Sequence, residues 1–158
     1  IEGKIFHGDK PGEVEVGHLR IDLDGNTVED RCSGWAVDRT IRAAFGNHPD
    51  SLLASLCGDT PGGEAKHLTE ALAQGDSLAQ DILTTVTRDL AFALSHVTHL
   101  FHPQVITLGG GLSLIGVPLR KSIEEQLPSL LMEIYGKGPP IKLGELGEDA
   151  VPVGALLL

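Results

Sequence analysis

Residues 77–111 read SLAQDILTTVTRDLAFALSHVTHLFHPQVITLGGG, and the change of period inside that stretch sets the fold class. Leu78, Ile82, Val86, Leu90, Leu94 and Val97 recur every three or four residues, which predicts a long amphipathic helix from Ser77 to about Phe101. After Pro103 comes Val105-Ile106-Thr107-Leu108, a short β-branched run that meets Gly109-Gly110-Gly111. A second helical pattern runs from about Pro118 to Leu131. Helix, buried strand, glycine turn and helix in that order describe an α/β protein, with the long helix expected to pack against a sheet.

Towards the N-terminus, Pro61-Gly62-Gly63 precedes a predicted helix over Glu64 to Gln74, with a short segment at Ser51 to Leu56 before it. Trp35 to Phe45 places Val37, Ile41, Ala44 and Phe45 at helical spacing, and Gly46-Asn47-His48-Pro49 should end that helix. Ile1 to Phe6 and Glu13 to Asp22 alternate apolar with polar residues, which predicts two strands joined by a loop at Gly8 to Gly12. Downstream, Ile141 to Leu146 reads as one more strand and Ala150 to Leu158 as the opening of a last helix. With no internal repeat or linker, residues 1–158 read as a single domain. The start at Ile1 without Met and the stop at Leu156-Leu157-Leu158 without a polar cap read as the ends of a fragment.

Composition narrows the function classes. A 158-residue chain that is 41% hydrophobic has enough material for a core. Lys and Arg total 12 against 22 Asp and Glu, a net charge of -10, so phosphate backbones and anionic lipid surfaces are unfavourable partners. Cys32 and Cys57 share no metal-ligand spacing and suit a reducing cytoplasm better than a disulfide framework. No apolar run reaches bilayer length and no charged-then-apolar leader opens the sequence.

Two constellations carry chemistry. Glu15-Val16-Gly17-His18 is followed by Glu29 and Cys32-Ser33-Gly34. Carboxylates accept directional bonds from neighbouring hydroxyls, a neutral His adds one donor and one acceptor, and a glycine admits close approach. On the residues alone this pattern fits either polyol recognition or a solvated face. Gly109-Gly110-Gly111 joins a buried strand to a helix without the spacing of a Walker loop or dinucleotide fingerprint. It fits either nucleotide contact or a tight turn.

Taken together in order, these motifs resemble the ROK family of bacterial sugar kinases and sugar-responsive repressors. Glu15-Val16-Gly17-His18 matches its E-x-G-H signature. Glu29 with Ser33-Gly34-Trp35-Ala36, the Gly75-Asp76-Ser77 helix start, His102-Pro103 through Gly109-Gly110-Gly111 and the closing Val153-Gly154-Ala155 follow in one register. The resemblance implies an actin-like, ribonuclease-H-like ATPase architecture, of which this chain is the larger C-terminal domain. It implies that Glu15, His18 and Glu29 bind hexose hydroxyls and that Gly109, Gly110 and Gly111 lie against the adenosine part of ATP, with Mg²⁺ as the accompanying ion. The family's aspartate for catalysis lies upstream, so no catalytic residue is assigned in this chain. The family's zinc-binding cysteine segment is replaced by Asp24-Gly25-Asn26-Thr27-Val28-Glu29, and one histidine with one stray thiol cannot close a tetrahedral site. No zinc is expected, the loop being held by turn chemistry and by packing around Trp35. The expected function is ATP-dependent phosphorylation of glucose or an N-acetylated hexosamine, probed against the alternative of a repressor's sugar-sensing domain. Family members are often dimers, so homodimer formation stays open. His96, His99 and His102 near the end of the long helix read as ordinary helix-end histidines rather than a metal site.

Overall fold

The structure is a computed structural model that describes residues 8–9, 14–146 and 149–156. The predicted strand at Ile1 to Phe6 lies outside them. In chain order the regular elements are α1 (Val28–Cys32), α2 (Gly34–Ala44), α3 (Leu52–Cys57), α4 (Leu68–Ala73), α5 (Ser77–Phe101), β1 (Ile106–Leu108), α6 (Val117–Gln126), β2 (Ile141–Leu143) and α7 (Ala150–Leu156). The two strands pair in parallel, Ile106 opposite Ile141 and Leu108 opposite Leu143, with α6 in the crossover.

Helix α5 spans the residues its periodicity predicts because its N-terminus is fixed chemically. Asp76 Oδ1 accepts the Ala79 N–H at 2.8 Å, satisfying one of the donors a helix leaves unpaired at its start. The same carboxylate's Oδ2 accepts the Ser51 hydroxyl at 2.9 Å and the Leu52 N–H at 2.7 Å, so it also anchors the first turn of α3. At its far end α5 stops at His102, whose φ of 49° is left-handed.

The buried stripe of α5 runs through Leu78, Ile82, Leu83, Val86, Ala91 and Leu94. Among the described residues it faces mainly helices α1, α2, α4 and α6, where the sequence leads one to expect a sheet. The two three-residue strands are too short to cover 25 helical residues. The strands instead add Ile106 and Ile141 to the edge of the same core. Fully buried side chains such as Ile41, Leu53, Leu119 and Ile123 each contribute about 1.5–3 kcal/mol by leaving water. Thr87, fully buried on α5, is accommodated by a polar bridge to α6, with its hydroxyl 2.7 Å from Ser122 Oγ and accepting Gln126 Nε2–H at 2.6 Å.

Of the strand predicted over Glu13 to Asp22, the described residues 14–22 do not form one. Val14 takes a φ of 60°, Val16–His18 forms a 3-10 turn, and Arg20 with Thr27 makes a single antiparallel bridge. Local bonds decide the outcome: Asp22 Oδ1 accepts the Asn26 N–H at 3.0 Å and its Oδ2 accepts Asn26 Nδ2–H at 2.6 Å, folding the chain back before a strand can extend. The predicted helix at Glu64 to Gln74 starts as a 3-10 turn, Glu64–His67, before α4. Glu64 is 2% exposed; its carboxylate takes the Arg42 guanidinium at 2.6 Å and the Gly62 N–H at 3.0 Å. Arg42 also donates to the Gly58 and Thr60 carbonyls, so the loop before α4 is pinned to α2.

Candidate functional site

The predicted sugar residues sit where two local structures meet. The 3-10 turn at Val16–His18 is closed by the His18 N–H donating to the Glu15 carbonyl at 3.1 Å. Five-residue α1 begins at Thr27, whose hydroxyl accepts the Asp30 N–H while the Asp30 carboxylate accepts the Thr27 N–H, a reciprocal capping box. The Val28 N–H donates to the Leu19 carbonyl at 2.9 Å, drawing α1 back onto the turn. A Cβ added to Gly17 would lie 3.7 Å from Glu29 Cβ, so the turn passes close to the start of α1. Glu15, His18 and Glu29 are all exposed, so this corner presents two carboxylates and an imidazole to solvent.

Beneath it, Val28 and Cys32 of α1 bury themselves on Ala93 of α5, with Ile21 and Leu90 alongside. That cluster holds the loop, rather than the packing around Trp35 that the sequence suggests. Trp35 is 49% exposed, with the Arg39 guanidinium 4.6 Å from its ring centroid. The helical face that turns inward is Ala36, Val37 and Ile41, and Trp35 lies off it.

The donor set does not fit a tetrahedral zinc. The Cys32 thiol is buried and directed at the Val86 carbonyl at 3.7 Å. Burial first, and the Asp89 charge second, push it up to about 12, whereas a zinc ligand must be a thiolate. Among the described residues no three His, Cys, Asp or Glu side chains converge as a metal site. His99 and His102 face Tyr135 edge-on: His99 Nε2 accepts the Met132 N–H at 3.3 Å and His102 Nε2 is 2.9 Å from the Tyr135 hydroxyl.

The glycine turn opens onto a cavity of about 350 Å³ lined by Cys32, Ser33 and Gly34, by Leu90 of α5, by Thr107, Leu108, Gly109, Gly111, Leu112 and Ser113, and by Leu119 of α6. Gly110, at φ 75° and ψ -176°, takes a backbone shape that only glycine adopts readily, and its carbonyl accepts both the Ser113 N–H and the Ser113 hydroxyl. Gly109 and Gly111 therefore border the cavity while Gly110 shapes the turn. Helix α1 joins the two regions, with Glu29 near its start and Cys32 at its end, and the Ser33 N–H closes it on the Glu29 carbonyl at 3.2 Å. A roomier groove of about 570 Å³ between α4, α5 and α6 touches neither constellation. The capping box and the Glu64–Arg42 pair escape a reading of motifs, although Thr27-Val28-Glu29-Asp30 carries the spacing that reveals the first.

Comparison with known proteins sets these features in a family. The sequence model described as "ROK family" matches residues 1–158. The glucokinase of Thermotoga maritima is 30% identical over 150 residues, covering 90% of this chain and 47% of that protein. The crystal structure of a ROK family glucokinase from Streptomyces griseus in complex with glucose and AMPPNP superposes with a TM-score of 0.78 at 29% identity, over 89% of this chain and 49% of that one. The DNA-binding transcriptional repressor Mlc of Escherichia coli is 25% identical over 162 residues, covering 99% of this chain and 39% of that protein. The chain thus spans about half the length or less of the relatives it matches.

Proposed function

This chain belongs to the ROK family and has the actin-like ATPase fold of its sugar kinases, and from that premise we propose that the protein is a cytoplasmic ATP-dependent kinase phosphorylating a hexose. Glucose or an N-acetylated hexosamine is the substrate, with the 6-hydroxyl as acceptor. The observation that carries the proposal is the single short helix that joins the carboxylate corner to the glycine-lined cavity. Five residues of helix rise only about 7.5 Å, a span that a triphosphate can bridge between a nucleoside in the cavity and an acceptor at the corner. Glu15 and Glu29 accept bonds from ring hydroxyls, His18 bonds near the anomeric end, and Gly109, Gly110 and Gly111 shape the wall for the adenosine. The Mg²⁺ that accompanies ATP neutralises charge on the transferring phosphate. The residues that hold it and the base for the sugar hydroxyl are assigned to sequence outside this chain.

The test is a coupled ADP-release assay on the full-length protein with a hexose panel, beside calorimetry with Glu29→Ala. We expect turnover with at least one hexose and a loss of at least 100-fold in hexose affinity for the variant, about 3 kcal/mol by the affinity scale, at unchanged helical content. Unaltered affinity would place the sugar elsewhere. The likeness to a repressor supports a second reading, a sugar-sensing domain coupled to a DNA-binding one. Hexose binding without turnover, together with a helix-turn-helix segment in the full-length protein, would favour it.

A further inference from the structure

We propose that Asp22 is a positioning residue for the hexose: its clasp on Asn26 closes the hairpin that sets His18 level with Glu29, and no metal is required to hold that turn. This rests on the reading of Glu15, His18 and Glu29 as the sugar site. The hairpin is short and its register is fixed. The Ile21 N–H donates to the Asn26 carbonyl and the Val28 N–H to the Leu19 carbonyl, both at 2.9 Å, with Arg20 bridged to Thr27 between them. Carried one residue further, the same antiparallel register sets His18 level with Glu29. The Cβ built on Gly17, 3.7 Å from Glu29 Cβ, confirms that the two arms run close at that level. His18 ends a 3-10 turn and Glu29 opens α1, so the hairpin between these separate elements is what fixes one against the other.

What closes the hairpin is polar and local. Leu23 at its tip is fully exposed, so the tip is not held by packing of its own apolar residue. Asp22 holds it instead, Oδ1 accepting the Asn26 N–H at 3.0 Å and Oδ2 the Asn26 Nδ2–H at 2.6 Å. The side-chain bond from Asn26 keeps the Asp22 carboxyl below its ordinary range, so both oxygens are acceptors at neutral pH. Arg31, 3.6 Å away with its side chain 45% exposed, is a weak second partner. At the base of the hairpin Ile21 rests against the cluster of Val28, Cys32 and Ala93. The Cys32 thiol is turned into that cluster, towards the Val86 carbonyl, and does not reach out to cross-link the turn. Docked at its base by Ile21 and clasped at its tip by Asp22, the hairpin holds its register through hydrogen bonds where the family's zinc-binding segment is replaced.

The experiment uses the full-length protein with Asp22→Ala, Asp22→Asn and Glu29→Ala. Asp38→Ala is the reference, because Asp38 clasps another loop through the Gly63 and Ala65 N–H groups. Calorimetry gives Kd for glucose, for N-acetylglucosamine and for Mg-AMPPNP, with kcat and KM alongside, and the hexose titration of the parent is repeated after dialysis against EDTA. The expected result for Asp22→Ala is a hexose Kd and KM raised at least tenfold, with kcat within about threefold and nucleotide affinity within twofold of the parent. Asp22→Asn, which keeps an acceptor for the Asn26 N–H, should recover part of that loss. Asp38→Ala and EDTA should leave hexose affinity within twofold. If Glu29→Ala loses hexose while Asp22→Ala binds it like the parent, the inference falls with the sugar site intact. Loss of hexose affinity on EDTA treatment, or an equal loss in Asp38→Ala, also overturns it. If Glu29→Ala binds both sugars like the parent, the sugar site itself is misplaced and the inference falls with it. Should Asp22→Ala fail to fold, Asn26→Ala decides, since it deletes only the side-chain bond: parent-like hexose affinity there overturns the inference.

Discussion

Asp76 shows how much one side chain can specify. Burial opposes its ionisation, yet the N–H of Ala79, the hydroxyl of Ser51 and the N–H groups of Leu53 and Leu52 outweigh it and hold the carboxyl below its ordinary 3.8. It starts a 25-residue helix and fixes α3 beside it. Asp76→Asn keeps the shape but turns an amide donor towards groups that are themselves donors. We expect a loss of about 2–3 kcal/mol, the sum of a cap and a part-buried hydrogen bond left unmade, measurable by urea unfolding at pH 7. Because the folded pKa lies below the unfolded one, the stabilisation is complete above pH 3.8 and disappears as pH falls through the folded value. The gap between parent and variant should therefore be constant near neutrality and narrow below pH 3.8; a gap that widens on acidification would contradict this account. Gly75-Asp76-Ser77 is visible in the sequence as a helix start, but Ser51 as its second client is not, since that contact spans 25 positions.

At the scale of elements, what is legible depends on how many residues vote. Helix α5 repeats its apolar spacing over seven turns, and the repetition overrides every local ambiguity. Glu13 to Asp22 offers a few alternations, and one Asp22–Asn26 bracket outweighs them. Trp35 and Glu64 invert their usual places, the indole outside and the carboxylate inside, because Val37 and Ile41 own the inward face of α2 and Arg42 travels inward to meet Glu64. Local motifs within the site are legible in order, whereas their convergence is tertiary. That convergence depends on Ala93, which is 0% exposed beneath Val28 and Cys32 and small enough for α1 to lie against α5. Ala93→Leu should cost about 1–3 kcal/mol through overpacking and weaken hexose binding at least tenfold by lifting Glu29 away from Gly17. Ala71→Leu, overpacked in the main core, should cost similar stability without that binding loss. Equal effects on hexose affinity from both variants would show that α1 is not the element that positions the carboxylate.

For the molecule as a whole, the site and the bulk of the core are different structures. The main cluster joins α2 to α6 with both strands, while α1 is held by a satellite of Val28, Cys32 and Ala93. The ion pairs around α1 are weak supports: Arg31 lies 3.6 Å from Asp22 and 4.0 Å from Asp89 with its side chain 45% exposed, and such pairs contribute about 0–1 kcal/mol. A satellite with so little buried area opens before the main core does. The N–H groups of Cys32 and Ser33 should then exchange with solvent at least tenfold faster than those of Ala91 to Leu94, which belong to the middle of α5 and require its unfolding. On the proposed sugar site, a hexose bridging Glu15, His18 and Glu29 would bind only the closed corner, so it should slow exchange at Cys32 and Ser33 by the factor 1 + [L]/Kd and leave the slower-exchanging core amides of α5 far less affected. Hydrogen exchange read by NMR on the full-length protein, with and without glucose, distinguishes this from a uniformly rigid domain, in which α1 and α5 amides would exchange together and respond to the sugar equally.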